Sequence, residues 1–248
     1  MVSRKLRVRG PVLFDVDGTL LLGSVGHLVV LAEVLGRHLG TEVPIHIDGE
    51  RPMLGDVVVA GWIDVEIVRH VLEAASTNQA EADASRAGAA AETEVAEVMA
   101  AFAQAYAAIP ASRIGEARPV PGAAACLERL QAARTPLGLV TGNASFVARA
   151  KFEALGLDRF FRFDRDLGFG DWRANRPAVA AAAIEGLTRD GLDAGSVSYV
   201  GDTPRDMQAA RAVGARPIGV LTGASRATEL EHAGADVVIA SVADLYPG

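Results

Sequence analysis

The chain has 248 residues, enough to bury a sizeable core in one large domain or two small ones. Its formal net charge of −7 argues against a large nucleic-acid footprint, and its apolar runs are too short for a membrane span. The single cysteine, Cys126, excludes an intrachain disulfide, and the basic N-terminus lacks the apolar stretch of a signal peptide. We therefore expect a cytoplasmic protein with neither a nucleic-acid nor a membrane partner.

The first predicted element is a short buried strand at residues 12–14, followed directly by the string Asp-Val-Asp-Gly-Thr-Leu at residues 15–20. Alternate residues of an extended chain point the same way, so Asp15 and Asp17 can face one spot. Two such carboxylates repel each other unless a cation, a shared proton or solvent lies between them. An Asp-x-Asp pair alone is typical of an acidic turn, but the complete string rarely arises by chance.

Residues 21 to 118 form a mainly helical stretch in which apolar residues recur at helical spacing. Residues 41–56 contain proline and glycine without a clear period, which predicts a loop, and residues 110–121 are predicted to be a linker. Three helices are predicted here, at residues 24–39, 64–75 and 91–109.

After residue 121 the pattern alternates between strands and helices, which predicts a parallel sheet with helices on both faces. The predicted strands lie at residues 137–140, 161–163, 197–200, 217–221 and 237–240. The predicted helices lie at residues 122–133, 144–155, 177–187, 204–213 and 229–232. A long insertion after the first strand belongs at the sheet edge where open α/β folds bind ligands, so residues 21–118 can cover the two aspartates.

Polar residues also follow two of the later strands, at Thr141-Gly142-Asn143 and at Asp202. Parallel strands bring their C-terminal ends to one edge, so these residues are expected to converge with Asp15 and Asp17. Carboxylates around a hydroxyl suit a hard cation such as Mg²⁺, and no cluster of cysteine and histidine favours zinc.

Two of these positions also have purely structural interpretations. Thr141 is suited to capping the helix that follows it. Asp206 stands where the acid of a capping box opened by Thr203 and Pro204 would stand, so a metal role and a capping role both remain open. Asp202 precedes that cap and has no helical task, which favours a functional role.

Together these motifs resemble the haloacid dehalogenase-like (HAD) hydrolase superfamily, and most of all its phosphoglycolate phosphatase-like subgroup. The resemblance rests on the string at 15–20, on Thr141, and on Gly-Asp-Thr-Pro-Arg-Asp at 201–206. It implies an α/β fold: a Rossmann-like doubly wound parallel sheet forming a core from residues 1–20 and 119–248. Residues 21–118 would form an inserted α-helical cap.

The resemblance also implies a role for each matching residue. Asp15 would be the nucleophile that attacks phosphorus, and Asp17 the acid and base that serves the leaving oxygen and then water. Mg²⁺ would be held by Asp15, Asp17 through its carbonyl, and Asp202, with Asp206 in support. The phosphate would be bound by Thr141, by Asn143 and by backbone amides near Gly18 and Gly142.

One motif departs from the family pattern, because the third motif usually contributes a lysine. Here the sequence reads Arg173-Ala-Asn-Arg176-Pro, so Arg176 is the expected replacement in phosphate binding and catalysis. Arg173 and Lys151 rank below it, and Lys151 is expected to be a solvated side chain on the helix after Thr141.

The leading functional hypothesis is therefore a phosphatase acting on a small phosphorylated metabolite. Asp17 disfavours a dehalogenase, and the absence of lysine from residues 21–118 disfavours phosphonate cleavage. A sugar phosphomutase, a non-catalytic protein that binds a phospho-ligand, and either a monomer or a homodimer remain open. Substrate selection is expected from the cap, where the candidates are Trp62, Asp64, Arg51, Arg69 and His70.

Overall fold

The computed structural model describes residues 5–23, 26–48, 51–55, 57–77, 84–109, 117–163, 168–171, 173–188 and 197–248. Its strands are β1 (Leu6–Val8), β2 (Val12–Phe14), β3 (Leu21–Leu22), β4 (Ile45–Asp48), β5 (Arg51–Leu54), β6 (Val57–Val58), β7 (Arg118–Pro119), β8 (Leu137–Leu139), β9 (Ser198–Gly201), β10 (Arg216–Val220), β11 (Val237–Ile239) and β12 (Leu245–Pro247). Its α-helices are Gly26–Leu39, Asp64–Thr77, Ala84–Ala107, Ala123–Ala132, Ser145–Ala154, Arg176–Thr188, Pro204–Ala212 and Ala227–His232.

The centre of the molecule is a five-stranded parallel sheet with the strand order β11-β10-β9-β2-β8. The chain passes from β2 to β8 on one side and later returns to β9 on the other, so the order reverses between β2 and β9. Such a reversal is where open α/β sheets bind ligands. The predicted α/β class and parallel sheet are confirmed.

Strand β2 is buried on both faces, as its continuous apolar run predicted. Val12 and Phe14 belong to one hydrophobic cluster, and Leu13 between them belongs to a second cluster that also contains Tyr199. This alternation follows from the two-residue period of a strand. The carboxylates that follow β2 thereby start from a fixed strand end, with Asp15 buried and Asp17 partly exposed.

The insertion between β3 and β7 contains three helices and a small antiparallel sheet of β4, β5 and β6. The predicted loop at 41–56 is therefore wrong over half of its length: residues 45–48 pair with residues 51–54 in a hairpin. The three insert helices share a hydrophobic cluster that extends to Ala144 and Val147 of the sheet domain. The insertion is thus packed directly against the start of the helix Ser145–Ala154.

Three further expectations need correction. The third insert helix begins at Ala84 rather than at residue 91, and the end of the predicted linker forms β7, which pairs with β3. The predicted strand at 161–163 is absent. Phe161 and Phe163 instead pack their rings against Phe152, at centroid distances of 5.3 and 5.7 Å, and this packing accounts for the apolar pattern. The start of the first insert helix at residue 24 and the linker residues 110–116 lie outside the described residues.

Gly168, and not residues 161–163, makes a strand-like contact in this part of the chain. It forms an isolated parallel bridge with Val140. Its N–H donates to the Leu139 carbonyl (3.0 Å), and its carbonyl accepts from the Thr141 N–H (2.9 Å). The backbone at the end of β8 is therefore held on both sides.

Among the described residues, no helix is both long and apolar enough to cross a membrane.

Candidate active site

Asp15 lies at the C-terminal end of β2 and is buried, with only 4 % of its surface exposed. Its N–H donates to the Val200 carbonyl at 2.9 Å, which ties it to the neighbouring strand β9. One carboxylate oxygen accepts a hydrogen bond from the Arg176 guanidinium. Burial raises the pKa of Asp15 well above its usual value, Arg176 opposes that rise, and nearby carboxylates add to it.

Asp17 is held by a different cation. The ammonium of Lys151 lies 2.9 and 3.1 Å from the two Asp17 oxygens, and the Asn143 amide donates to Asp17 at 2.7 Å. Lys151 also donates to the Asn143 side-chain carbonyl at 2.9 Å. Lys151 is 2 % exposed, so the expectation of a solvated side chain is wrong. The helix Ser145–Ala154 directs the Lys151 side chain inward, toward Asp17.

The turn after β8 contributes Thr141, Gly142 and Asn143 to the same place. The Thr141 hydroxyl oxygen accepts from both the backbone N–H (3.1 Å) and the side-chain amide (2.6 Å) of Asn143. Asn143 therefore links Thr141 to Asp17. A Cβ atom on Gly142 would lie 2.0 Å from the Trp62 carbonyl oxygen, so only glycine fits beneath the insertion at this point.

Asp202 follows β9 and is buried at 2 % exposure. Its oxygens accept from the Thr19 hydroxyl (3.3 Å) and the Ala224 N–H (2.9 Å). Burial, with the nearby Asp206 charge, raises its pKa to about 7. Gly18 is packed against it, since a Cβ there would lie 2.6 Å from an Asp202 oxygen, and its φ of +84° also favours glycine.

The Gly18 N–H donates to the Leu21 carbonyl at 2.7 Å. This amide is therefore engaged within its own turn, and phosphate binding by the backbone near Gly18 stays a prediction. The Gly18 carbonyl accepts from the Thr222 hydroxyl at 2.6 Å, which further fixes the turn. The role of Gly18 is to allow a tight turn close to Asp202.

Asp206 has the capping function that the sequence left open, and its metal role stays a prediction. It completes a capping box with Thr203: its N–H donates to the Thr203 hydroxyl oxygen (3.3 Å), and one of its carboxylate oxygens accepts from the Thr203 N–H (3.0 Å) and hydroxyl (2.6 Å). Its other oxygen accepts from Arg176 (2.8 Å) and from the Tyr199 hydroxyl (2.7 Å). Both oxygens are thus committed to protein donors, which suits Asp206 to positioning its neighbours.

Arg176 is buried at the start of the helix Arg176–Thr188, at 3 % exposure. Besides Asp15 and Asp206 it donates to the Gly61 carbonyl of the insertion at 3.2 Å. It therefore links β2, the helix after β9 and the insertion. Arg173, the lower-ranked alternative, is exposed.

Three carboxylates, Asp15, Asp202 and Asp206, offer ligand oxygens that lie within 4.8 Å of one another. Buried carboxylates this close repel one another and favour a divalent cation with oxygen ligands. Each Asp206 oxygen accepts two hydrogen bonds from protein donors, whereas each Asp202 oxygen accepts one and a single Asp15 oxygen accepts from Arg176, so Asp15 and Asp202 are better suited as ligands. The Asp17 carboxylate is outside this cluster, so any contribution of Asp17 to a metal site would come from its backbone carbonyl.

The insertion closes the site from above and leaves a cavity of about 60 Å³ over the carboxylates. Two of the five substrate-selecting candidates, Trp62 and Asp64, line this cavity. The other three lie elsewhere: Arg51 donates to the Ala224 carbonyl, Arg69 pairs with Glu92, and the His70 ring packs edge-on against Trp62.

Asp64 joins the insertion to the core. Its N–H donates to the Gly142 carbonyl, and its carboxylate accepts from the Ala144 N–H, both at 2.8 Å. His27, which the sequence analysis missed, also lines the cavity, with its ring nitrogen 3.7 Å from Asp64. No spacing signal distinguished His27 from an ordinary helical residue, because its partner is 37 positions away in another helix.

Comparisons with known proteins agree with this geometry. Residues 12–214 match the family described as haloacid dehalogenase-like hydrolase. A phosphoglycolate phosphatase from Escherichia coli K12 is 30% identical over 127 residues, or 51% of this chain, and the chain spans about half (49%) of that relative's length. A phosphoglycolate phosphatase from Yersinia pestis is 27% identical over 245 residues, covering 97% of this chain and 92% of its own.

The fold is also similar to solved structures. The crystal structure of a predicted phosphatase from Clostridium acetobutylicum superposes with a TM-score of 0.66 at 20% identity. The match covers 95% of both chains, so it includes the insertion as well as the sheet.

Proposed function

Because the chain belongs to the haloacid dehalogenase-like hydrolase family, we propose that it is a phosphatase that hydrolyses the phosphomonoester of a small metabolite, with Mg²⁺ as cofactor. The observation that carries this proposal is the pairing of two successive carboxylates with two different buried cations. Asp15 contacts Arg176, and Asp17 contacts Lys151, beside a cluster of acidic metal ligands.

The two aspartates divide the chemistry between them. In the first step an Asp15 oxygen bonds to phosphorus while the ester P–O bond breaks, and Asp17 gives its proton to the departing alkoxide oxygen. In the second step Asp17 takes a proton from water, whose oxygen attacks the same phosphorus. The Asp15 carboxylate is released together with inorganic phosphate.

The residues present fit a Mg²⁺ ion held by Asp15, Asp202 and the Asp17 carbonyl. When bound, the ion would offset the negative charge shared by the nucleophile and the phosphate. Asp206 would hold Arg176 and Tyr199 in place from behind. The phosphate oxygens would be bound by Thr141, Asn143 and the backbone at Gly142.

Arg176 and Lys151 together replace the single lysine of the family pattern. Arg176 contacts the nucleophile and is anchored by Asp206, so it takes the place of the missing lysine. Lys151 supports the acid–base residue. We propose that residues 1–20 and 119–248 form the catalytic core and that residues 21–118 act as its cap, which limits the substrate to a small molecule.

The test is hydrolysis of p-nitrophenyl phosphate by the purified protein with and without Mg²⁺. We expect metal-dependent turnover in the wild type and a loss of at least about a thousandfold in Asp15→Asn, because an amide is a poor nucleophile. Asp236→Asn makes the same chemical change at an exposed position between β10 and β11 and should leave turnover unchanged. Undiminished turnover in Asp15→Asn would contradict the proposal.

A further inference from the structure

The wall of the cavity that faces a leaving group is mostly apolar. It is formed by the insertion, opposite the carboxylates of the sheet. Six of its side chains carry no charge: Leu28, Pro52, Val59, Ala60, Trp62 and Ile67. Such a wall favours the uncharged part of a ligand, since polar groups lose water there without gaining a partner.

The insertion contributes two ionisable side chains to the cavity, and they face each other. Asp64 is 2 % exposed and His27 6 %, and they lie 3.7 Å apart. Asp64 is also fixed by the N–H of Ala144. When His27 is protonated, this pair carries no net charge. When His27 is neutral, the pair brings a net negative charge to the leaving-group side.

The cations of the core at this site already have carboxylate partners. Arg205, whose guanidinium lies 4.5 Å from the Trp62 ring of the cavity wall, donates to Glu66 at 3.2 Å. Arg176 donates to Asp15, Asp206 and the Gly61 carbonyl, and Lys151 donates to Asp17 and Asn143. Each of these cations therefore serves the carboxylates or the phosphate position.

The arginines of the insertion that the structure describes do not line the cavity. Arg51 donates to the Ala224 carbonyl outside it, and Arg69 pairs with Glu92 on the neighbouring helix. Residues 21–118 contain no lysine. Within the described part of the chain, a second anionic group on the substrate would thus meet Asp64 and apolar carbon without a matching cation.

We propose that the site takes phosphomonoesters of small uncharged alcohols and discriminates against substrates that carry a second anion, such as a carboxylate on the leaving group. This inference rests on the proposed phosphatase function for the identity of the site. It separates this chain from the activity that its phosphoglycolate phosphatase relatives are named for, because 2-phosphoglycolate carries such a carboxylate. An unpaired charge in an enclosed site is costly, and the nearby Asp64 carboxylate adds repulsion.

The first experiment compares kcat/KM for two esters of similar size, 2-hydroxyethyl phosphate and 2-phosphoglycolate, in the presence of Mg²⁺. We expect the uncharged ester to be preferred by at least about tenfold. Equal rates, or a preference for 2-phosphoglycolate, would overturn the proposal.

A binding experiment separates this inference from the proposed function. Calorimetry with two phosphonates that cannot be hydrolysed, 2-hydroxyethylphosphonate and phosphonoacetate, measures the same preference without turnover. Tighter binding of the uncharged phosphonate without any ester hydrolysis would keep the inference and reject the phosphatase. Binding of neither compound, or equal or tighter binding of phosphonoacetate, would reject the inference.

The variant Asp64→Asn tests the residue that carries the repulsion. Its amide oxygen can still accept from Ala144, while the negative charge is removed, so the ratio of the two kcat/KM values should fall by at least about threefold. Glu73→Gln removes one charge from an exposed position of the same helix and should leave the ratio unchanged. An unchanged ratio in Asp64→Asn would mean that its carboxylate is not the source of the discrimination.

Discussion

At the scale of single residues, the site depends on two buried cations with separate tasks. Arg176 is the residue proposed to replace the lysine of the family pattern, and its guanidinium contacts Asp15, the proposed nucleophile. Lys151 is 10 residues after Thr141 on a helix, and its ammonium contacts both oxygens of Asp17. An ammonium that donates to both oxygens of a carboxylate fixes the orientation of that carboxylate.

Lys151→Met should show what this contact does. Without the ammonium, Asp17 keeps the contact with the Asn143 amide but loses both contacts with Lys151, so its carboxylate is held less firmly toward the leaving oxygen. We expect kcat for 2-hydroxyethyl phosphate, a poor leaving group, to fall by at least about tenfold. p-Nitrophenyl phosphate needs little protonation of its leaving group and should lose less.

The matched control is Lys5→Met, since the chain has only these two lysines and Lys5 is exposed. It should change neither rate. Equal losses for the two substrates in Lys151→Met would indicate a structural role for Lys151 rather than support of Asp17.

The sequence predicted the residues that are close to one another in motifs, and missed those that meet only through the fold. Asp15, Asp17, Thr141 and Asp202 follow strand ends, so the parallel sheet brings them together. Lys151 meets Asp17 across 134 positions, and its inward direction depends on how its helix packs. A pattern of apolar residues does not reveal that direction for a long polar side chain, which can extend along a buried face.

At the scale of elements, the helix Ser145–Ala154 holds Lys151 and is fixed at its N-terminus by a carboxylate from outside the helix. Both Asp171 oxygens lie 2.8 Å from the Ser145 N–H. This is the N-terminal interaction that a capping side chain usually makes, and Ala144 at the cap position cannot make it.

Asp171→Ala should therefore lower the free energy of unfolding by about 1 kcal/mol, the usual cost of losing a cap. Asp171→Asn keeps an acceptor oxygen and should lose less. Urea denaturation of both variants measures the difference. An alanine variant as stable as the wild type would show that solvent or another group satisfies this N–H equally well.

The hairpin of β4 and β5 shows where element prediction failed. The alternation in residues 45–48 is too short to distinguish a strand from a loop, and proline and glycine nearby favour the loop. Phe161 and Phe163 led to the opposite error, a predicted strand that does not form, because their rings pack against Phe152. Elements of three or four residues depend on tertiary partners, whereas the longer helices were recognised from their own periodicity.

At the scale of the whole molecule, the cluster of Asp15, Asp202 and Asp206 should make the stability of the folded state depend on pH and on metal binding. Asp202 has a pKa of about 7 in the folded chain against 3.8 for an ordinary aspartate. The folded state therefore holds this proton more tightly than the unfolded state does. Its stabilising contribution is complete below pH 3.8 and is lost as the pH rises through 7, by up to a few kcal/mol in total.

We expect Asp202→Asn to be more stable than the wild type at pH 8 in EDTA, and to lose this advantage at pH 4. The amide oxygen can still accept from Ala224, and its NH₂ group can donate to the Thr19 hydroxyl oxygen. Thermal melting of both proteins at the two pH values tests this. Mg²⁺ should raise the Tm of the wild type and not that of the variant, and a pH-independent difference between the proteins would contradict the linkage.

The position of β2 between β9 and β8 has a consequence for the order of folding during synthesis. This strand is the first of the five to be made, yet its neighbours β8 and β9 lie at residues 137–139 and 198–201. Strand β2 therefore stays unpaired in the sheet while the whole insertion is translated. Contacts between such distant segments form slowly, because a long loop must close before they are made. Asp202 can join Asp15 and Asp17 only after about four fifths of the chain has been synthesised, so the proposed site is completed late in translation.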